Sequence, residues 1–278
     1  MFQNIQPHIL DTQYTPRAVQ AADYAIIIHG GKLLLLAQRI PTFAELSANY
    51  QADFTQPDYL LSIEDHSFFF FDVRLTEKGD FSYQSLNVLR TLEPQWLAFA
   101  AATATHLAIW YKQNRFCGHC GQRLTKGTEQ RSLICPSCGA EIFPRISPAI
   151  IVGVKKGEQL LLTKYAAGYD RYALIAGFVE IGETLEDTVR REVFEETGLQ
   201  VEHIHYYKSQ PWAFSQSLLM GFFADIASPD TYTTEEYHSD EAELSVAKWF
   251  DRDAIPIDDT TLSLTWTMIT DFRNGKVK

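Results

Sequence analysis

The chain has 278 residues, of which 46% are hydrophobic and 13% aromatic, enough apolar side chain for two or three domains with sizeable cores. Its formal charge of −11 at pH 7 argues against broad electrostatic attraction to nucleic acid or anionic membranes, leaving room only for a local basic groove. No apolar run reaches the roughly 18 residues of a membrane span, and MFQNIQPHILDTQ at the N-terminus lacks a charged segment followed by an apolar one, so a cytoplasmic protein with no signal peptide is expected.

In chain order, YAIIIHGGKLLLLAQ from Tyr24 to Gln38 comes first. Two apolar runs flank His29-Gly30-Gly31-Lys32, which predicts a hairpin with a glycine turn. The polar stretch from Pro41 to His66 predicts an irregular loop. SFFFFDVRL, from Ser67 to Leu75, predicts a strand. Glu93 to Asn114 predicts a helix with Pro94 in its first turn, alanines in the middle and Lys112 near the end.

All four cysteines of the chain follow, as Cys117-Gly-His-Cys120, fourteen residues, then Cys135-Pro-Ser-Cys138. Gly121 and Gly139 follow the second and fourth. Two such knuckles in a long chain predict a zinc ribbon rather than a disulfide scaffold. Four thiolates at about 2.3 Å close a tetrahedral shell and leave no position open for catalysis. A redox Cys-x-x-Cys would leave the second pair unexplained, and His119 reads as an exposed spacer. Lys112, Arg115, Arg123, Lys126 and Arg131 lie in or beside this segment. They keep a nucleic-acid-binding ribbon as the competing class of function.

Pro144 and Pro148 predict a linker. AIIVGVKKGEQLLLTK, from Ala149 to Lys164, predicts a second hairpin that turns at Lys155 to Gln159. Its likeness to Ala25–Gln38 leaves two readings open. One is an internal duplication, with an N-terminal relative that lacks an acidic helix; the other is the general likeness of hairpins. Beyond Leu199, strands are predicted at Leu218–Ala224 and Ser245–Phe250, with an acidic loop from Pro229 to Glu243 between them. A last helix is predicted from Ser263 to Arg273.

The stretch GFVEIGETLEDTVRREVFEETGL, from Gly177 to Leu199, holds seven acidic residues. Glu192, Glu195 and Glu196 stand at i, i+3, i+4, on one face of a helix, where like charges repel by a few tenths of a kcal/mol per pair. A hard divalent cation reverses that repulsion, because carboxylate oxygens are what Mg²⁺ and Mn²⁺ prefer. Leu185, Val189 and Val193 form the apolar stripe. Thr184 with Asp187 resembles a capping box, and Gly198 stands where a C′ glycine ends a helix.

Gly177, Glu183, Arg191, Glu192, Val193, Glu195, Glu196, Gly198 and Leu199 fill every fixed position of G-x5-E-x7-R-E-U-x-E-E-x-G-U, where U is apolar. This resembles the Nudix box without a departure. The resemblance implies an α/β/α sandwich with a mixed sheet and hydrolysis of a nucleoside diphosphate linked to another group. It implies that Glu192, Glu195, Glu196 and the backbone carbonyl of Ala176 bind Mg²⁺ or Mn²⁺. Arg191 would hold the carboxylates, Glu183 would bind a metal-linked water, and Glu196 is the first candidate for activating water.

SQPWAFSQS, from Ser209 to Ser217, resembles the SQPWPFPxS array of NudC-type NADH pyrophosphatases. Ser209, Gln210, Pro211, Trp212, Phe214 and Ser217 match, whereas Ala213 and Ser215 replace prolines, which predicts a more flexible loop with the same substrate. Gln216 completes the expected pocket. The resemblance further implies that Phe178 stacks on nicotinamide and that Glu129 and Phe143 line the pocket, Phe143 standing where the family has Tyr. It implies ligand contacts from Arg90 and Thr265, an extra metal ligand at Glu243, and a homodimer.

The domains expected are an N-terminal α+β domain at 1–112, with a degenerate Nudix-like domain as one reading, the zinc ribbon at 113–144 and a catalytic Nudix domain at 145–278. The expected reaction splits NAD(H) into nicotinamide mononucleotide and AMP, or removes NAD caps from RNA. ADP-ribose or dinucleoside polyphosphate hydrolysis is the alternative chemistry. A zinc-ribbon protein that only senses a nucleotide is the alternative class.

Overall fold

The structure is a computed structural model that describes residues 1–165, 171–227, 244–256 and 262–277. Its contacts divide the chain into two compact units. One comprises Gln3–Arg145 with Ala213–Gln216; the other comprises Met1–Phe2, Ile146–Trp212 and Ser217–Lys278.

In the first unit the predicted hairpin is present. Strands β1 (Leu10–Asp11), β2 (Tyr24–Ile26) and β3 (Ile28–His29) precede β4 (Lys32–Leu36), and His29 pairs with Lys32 across the glycine turn. The segment from Pro41 to His66 is not a loop. It contains helix α1 (Phe43–Asn49) and strand β5 (Asp58–Ile63). Polar composition hid a capping box: the Thr42 side chain accepts from the Glu45 N–H, and the Glu45 carboxylate accepts from the Thr42 N–H at 2.9 Å. Strands β6 (His66–Phe70) and β7 (Phe81–Ser85) follow, then α2 (Gln95–Gln113), which starts behind Pro94 as N-cap. Its alanines let it pack closely on β5, β6 and β2. Short strands β8 (Thr125–Lys126), β9 (Leu133–Ile134) and β10 (Glu141–Ile142) form a separate three-stranded sheet around the cysteines.

The second unit is built on a mixed sheet of β11 (Ser147–Lys156), β12 (Gln159–Tyr165), β13 (Ile175–Phe178), β14 (Val201–Trp212), β15 (Ser217–Ile226) and β16 (Leu244–Asp251). The expected linker is therefore shorter than read, since Pro148 already lies in β11. The order is β14-β15-β11-β12-β16, with β13 antiparallel to β11 and β15 parallel to it. Helices α3 (Leu185–Thr197) and α4 (Leu264–Arg273) each add an apolar face. Val189 and Val193 join Ile150, Val152, Ile175 and Phe222 in one core, and Met268, Ile269 and Phe272 join Leu160, Leu174 and Phe223 in another. Strand β14 was missed in the sequence because its polar, largely exposed residues show no buried alternation; Pro211 is tolerated because β14 is an edge strand.

In the first unit the strands before α2 form two sheets, ordered β1-β5-β6-β2 and β3-β4-β7. There β2 is parallel to β6, β3 pairs with β4, β4 with β7 and β5 with β6, while Thr42 bridges Tyr24 just before α1. Where α3 carries three glutamates on one face, α1 carries the single acid Glu45.

Candidate active site and zinc centre

The Thr184 side chain caps α3 by accepting from the Asp187 N–H at 3.1 Å. Gly198, at φ 70°, ends the helix and donates its N–H to the Phe194 carbonyl at 2.8 Å. The buried stripe of Val189 and Val193 fixes the rotation of the helix against the sheet, and this determines where its carboxylates stand.

Arg191 is the centre of the site. Its Nε donates to Glu183 Oε1 at 2.6 Å, and Nη2 donates to Glu183 Oε2 and to the Phe178 carbonyl, each at 3.0 Å. Nη1 donates to Glu192 Oε1 at 2.8 Å and to Glu195 Oε2 at 3.0 Å. One guanidinium thus gathers three carboxylates and ties the helix to the end of β13. The Arg191 hydrogen bond is the main reason that the Glu183 carboxyl is held at about 2. Glu183 also accepts from the Glu180 N–H at 3.1 Å and from Thr188 Oγ1 at 2.9 Å. Thr188 was not singled out in the sequence, where a helical threonine carries no distinguishing signal. Glu196 is only 4% exposed, whereas the Glu195 side chain is 56% exposed.

Gly177 lies in β13 directly against this helix. A Cβ built there would lie 1.9 Å from Oε1 of Glu192. The absence of a side chain lets a carboxylate approach the β13 backbone, next to Ala176. The donors here are carboxylate and carbonyl oxygens, the set that suits Mg²⁺ or Mn²⁺. Glu192, Glu195 and Glu196 share the helix, but among the described residues they do not form a cluster with all donor atoms within 4.8 Å. Arg191 takes up part of their charge instead.

The four cysteines do form such a cluster, with their sulfurs all within 4.8 Å of one another. Sγ separations are 3.6 Å for Cys117–Cys138, 3.4 Å for Cys120–Cys135 and 3.7 Å for Cys120–Cys138. A tetrahedron of sulfurs at about 2.3 Å from zinc has edges of about 3.8 Å, so the thiols fit the ion. His119 is exposed, as a spacer would be. These cysteines form a structural zinc site.

The other residues read from sequence fall in both units. Phe178 is 53% exposed at the end of β13, and Thr265 lies in the first turn of α4, half-buried. Gln210 is fully buried: its Nε2 donates to the Leu262 carbonyl at 3.0 Å and its Oε1 accepts from the Leu264 N–H at 2.7 Å, joining β14 to the start of α4. Trp212 packs edge-on against Phe2 at 6.4 Å. Ser209 is half-buried, Pro211 exposed and Ser217 buried.

In the first unit Ala213 and Ser215 lie in the turn that also holds Phe214 and Gln216. The Arg90 guanidinium sits over the Phe214 ring at 4.8 Å, so the two are brought together. Phe143 and Gln216 line one cavity of about 500 Å³, and Glu129 is exposed in the turn between β8 and β9. Glu243 lies outside the described residues.

Comparison with known proteins agrees with this geometry. Residues 144–267 match the NUDIX domain, and residues 112–143 match the NADH pyrophosphatase zinc ribbon domain. A relative from Photobacterium profundum, NAD-capped RNA hydrolase NudC, is 37% identical over 229 residues, 81% of this chain and 82% of the relative. The chain belongs to the NudC-type family of Nudix hydrolases. Relatives of the same name from Pectobacterium atrosepticum and Chromobacterium violaceum are 40% and 43% identical over 157 and 160 residues. Each of these alignments covers 56% of this chain, and 58% and 57% of the relatives, so the chain spans somewhat over half of their length. Among the described residues no helix of this Nudix protein is long and apolar enough to cross a membrane.

Proposed function

We propose that this chain hydrolyses the pyrophosphate of NAD(H) to nicotinamide mononucleotide, reduced or oxidised, and AMP, and that it removes NAD caps from RNA 5′ ends by the same cleavage. The observation that carries the reading is the Arg191 centre, where one guanidinium organises Glu183, Glu192 and Glu195 against a glycine-lined strand end. A solvated helix face has no reason for that arrangement.

In this reading Glu192, Glu195, Glu196, the Ala176 carbonyl and Glu243 hold Mg²⁺ or Mn²⁺. When bound, the ion neutralises phosphate charge and lowers the pKa of water. Arg191 keeps the carboxylates in place, Glu183 binds a metal-linked water, and Glu196 is the first candidate for metal-held activation of the attacking water. Phe178 stacks on nicotinamide. The Ser209–Ser217 array, Arg90, Glu129, Phe143 and Thr265 shape the pocket. The domain limits are 1–112, 113–144 and 145–278. In this reading the protein is a homodimer of the cytoplasm.

The purely sensory alternative is disfavoured because every carboxylate of the box is present. Hydrolysis of ADP-ribose is disfavoured by the array after the box. Product analysis with NADH, NAD⁺, ADP-ribose and NAD-capped RNA in Mn²⁺ tests the proposal. Release of AMP and nicotinamide mononucleotide from NADH is expected; its absence with every divalent ion tried would overturn it.

A further inference from the structure

Met1 and Phe2 carry no motif and fall within the expected N-terminal domain, yet their contacts belong to the second unit, the one that carries α3. Phe2 is only 2% exposed, and Met1 packs on the core that holds Met268 and Phe272 of α4. Two directional contacts fix Phe2 there. Its backbone N–H donates to the Leu262 carbonyl at 2.9 Å. Its ring meets the Trp212 ring edge-on, with centroids 6.4 Å apart and planes at 73°. In that geometry the positive edge of one ring faces the negative face of the other.

The Leu262 carbonyl also accepts from Gln210 Nε2 at 3.0 Å, so both of its lone pairs are used. Gln210 Oε1 accepts from the Leu264 N–H at 2.7 Å, and Ser263 between them caps α4 by accepting from the Trp266 N–H at 3.3 Å. Residues 262–264 thereby set where α4 begins and where Thr265, in its first turn, stands. Trp212 is the last residue of β14 and is half-buried, so its indole depends on neighbours such as Phe2 for a single orientation.

Trp212 and Thr265 belong to the dinucleotide pocket in the proposed function, on which this inference rests. Phe2 has no part in that reading, but it packs on the first and shares a carbonyl with the clamp before the second. We propose that Phe2 is a positioning residue of the pocket. Its ring holds the Trp212 indole in the orientation that receives substrate, and its N–H helps to hold the start of α4. None of these contacts involves α3, so metal binding and the chemical step do not depend on them.

The test compares wild-type protein, Phe2→Leu, Trp212→Leu and the double variant on NADH with Mn²⁺. Leucine keeps the backbone N–H and most of the apolar bulk but removes the ring edge. With Phe2→Leu, KM for NADH rises about fivefold, equivalent to about 1 kcal/mol. Its kcat stays within about twofold, and the Mn²⁺ concentration for half-maximal rate is unchanged. In the Trp212→Leu background the same substitution raises KM less than twofold, because the ring it acts through is gone. Melting curves accompany each variant. An unchanged KM in Phe2→Leu, a fivefold rise that persists without Trp212, or a loss of kcat that follows a fall in melting temperature overturns the positioning role while leaving NAD(H) hydrolysis standing. A wild-type protein that releases no AMP from NADH overturns the proposed function and the positioning role with it.

Discussion

A Cβ on Gly177 would overlap the carboxylate of Glu192, so this glycine is required by close approach and not by its backbone angle. We predict that Gly177→Ala pushes Glu192 from its place beside β13 and weakens divalent-metal affinity about 10- to 100-fold. Metal titration of turnover checks this, with circular dichroism to show that the fold persists. Glu196→Gln removes a carboxylate charge without changing shape. Its kcat should fall by on the order of 10³-fold, about 4 kcal/mol, with melting unchanged; near-normal turnover would refute the assignment of Glu196. The identity of these residues was legible in the spacing of the box. The reason for Gly177 was not, because it depends on which carboxylate the packed helix presents to the strand.

Helix α1 shows how an element escapes detection. Seven residues offer too little periodicity, and the start signal Thr42 with Glu45 is embedded in a polar stretch. Arg39 Nη1 donates to Glu45 Oε2 at 2.8 Å, and Nη2 donates to Oε1. The Arg39 hydrogen bond, ahead of the Thr42 N–H, lowers the Glu45 carboxyl from 4.5 to about 2. A lowered folded-state value means that the stabilisation is complete above the unfolded value of 4.5 and is lost as pH falls through about 2. Denaturant titrations from pH 6 to pH 2 should therefore show wild-type stability falling over that window and Glu45→Gln falling less. Parallel curves would show that Glu45 does not contribute. Helix α3, by contrast, was readable from end to end, since Thr184, the valine stripe and Gly198 each act locally.

At the scale of the whole molecule, zinc holds a segment that has little core of its own. Sulfur separations of 3.4 to 3.7 Å match a tetrahedral shell, and the strands β8, β9 and β10 around it are only two residues long each. So small a sheet buries little apolar surface and depends on the ion. Verified removal of zinc should lower the melting temperature and open the 113–144 segment to protease; unchanged melting would rule out the structural role. The chain by itself determined the zinc ribbon and the Nudix family: cysteine spacing and the box are short-range patterns whose meaning survives without the fold. The hairpins and long helices were likewise determined by local periodicity. Only the tertiary structure decided that Gln210 is buried as a tie between β14 and α4, that Arg90 meets Phe214, and that Phe143, Gln216 and Arg145 share one cavity. It also decided that the strands before α2 form two sheets, ordered β1-β5-β6-β2 and β3-β4-β7, beside a helix α1 with a single acid. Those are facts of pairing and packing between residues far apart in sequence, which no local pattern encodes.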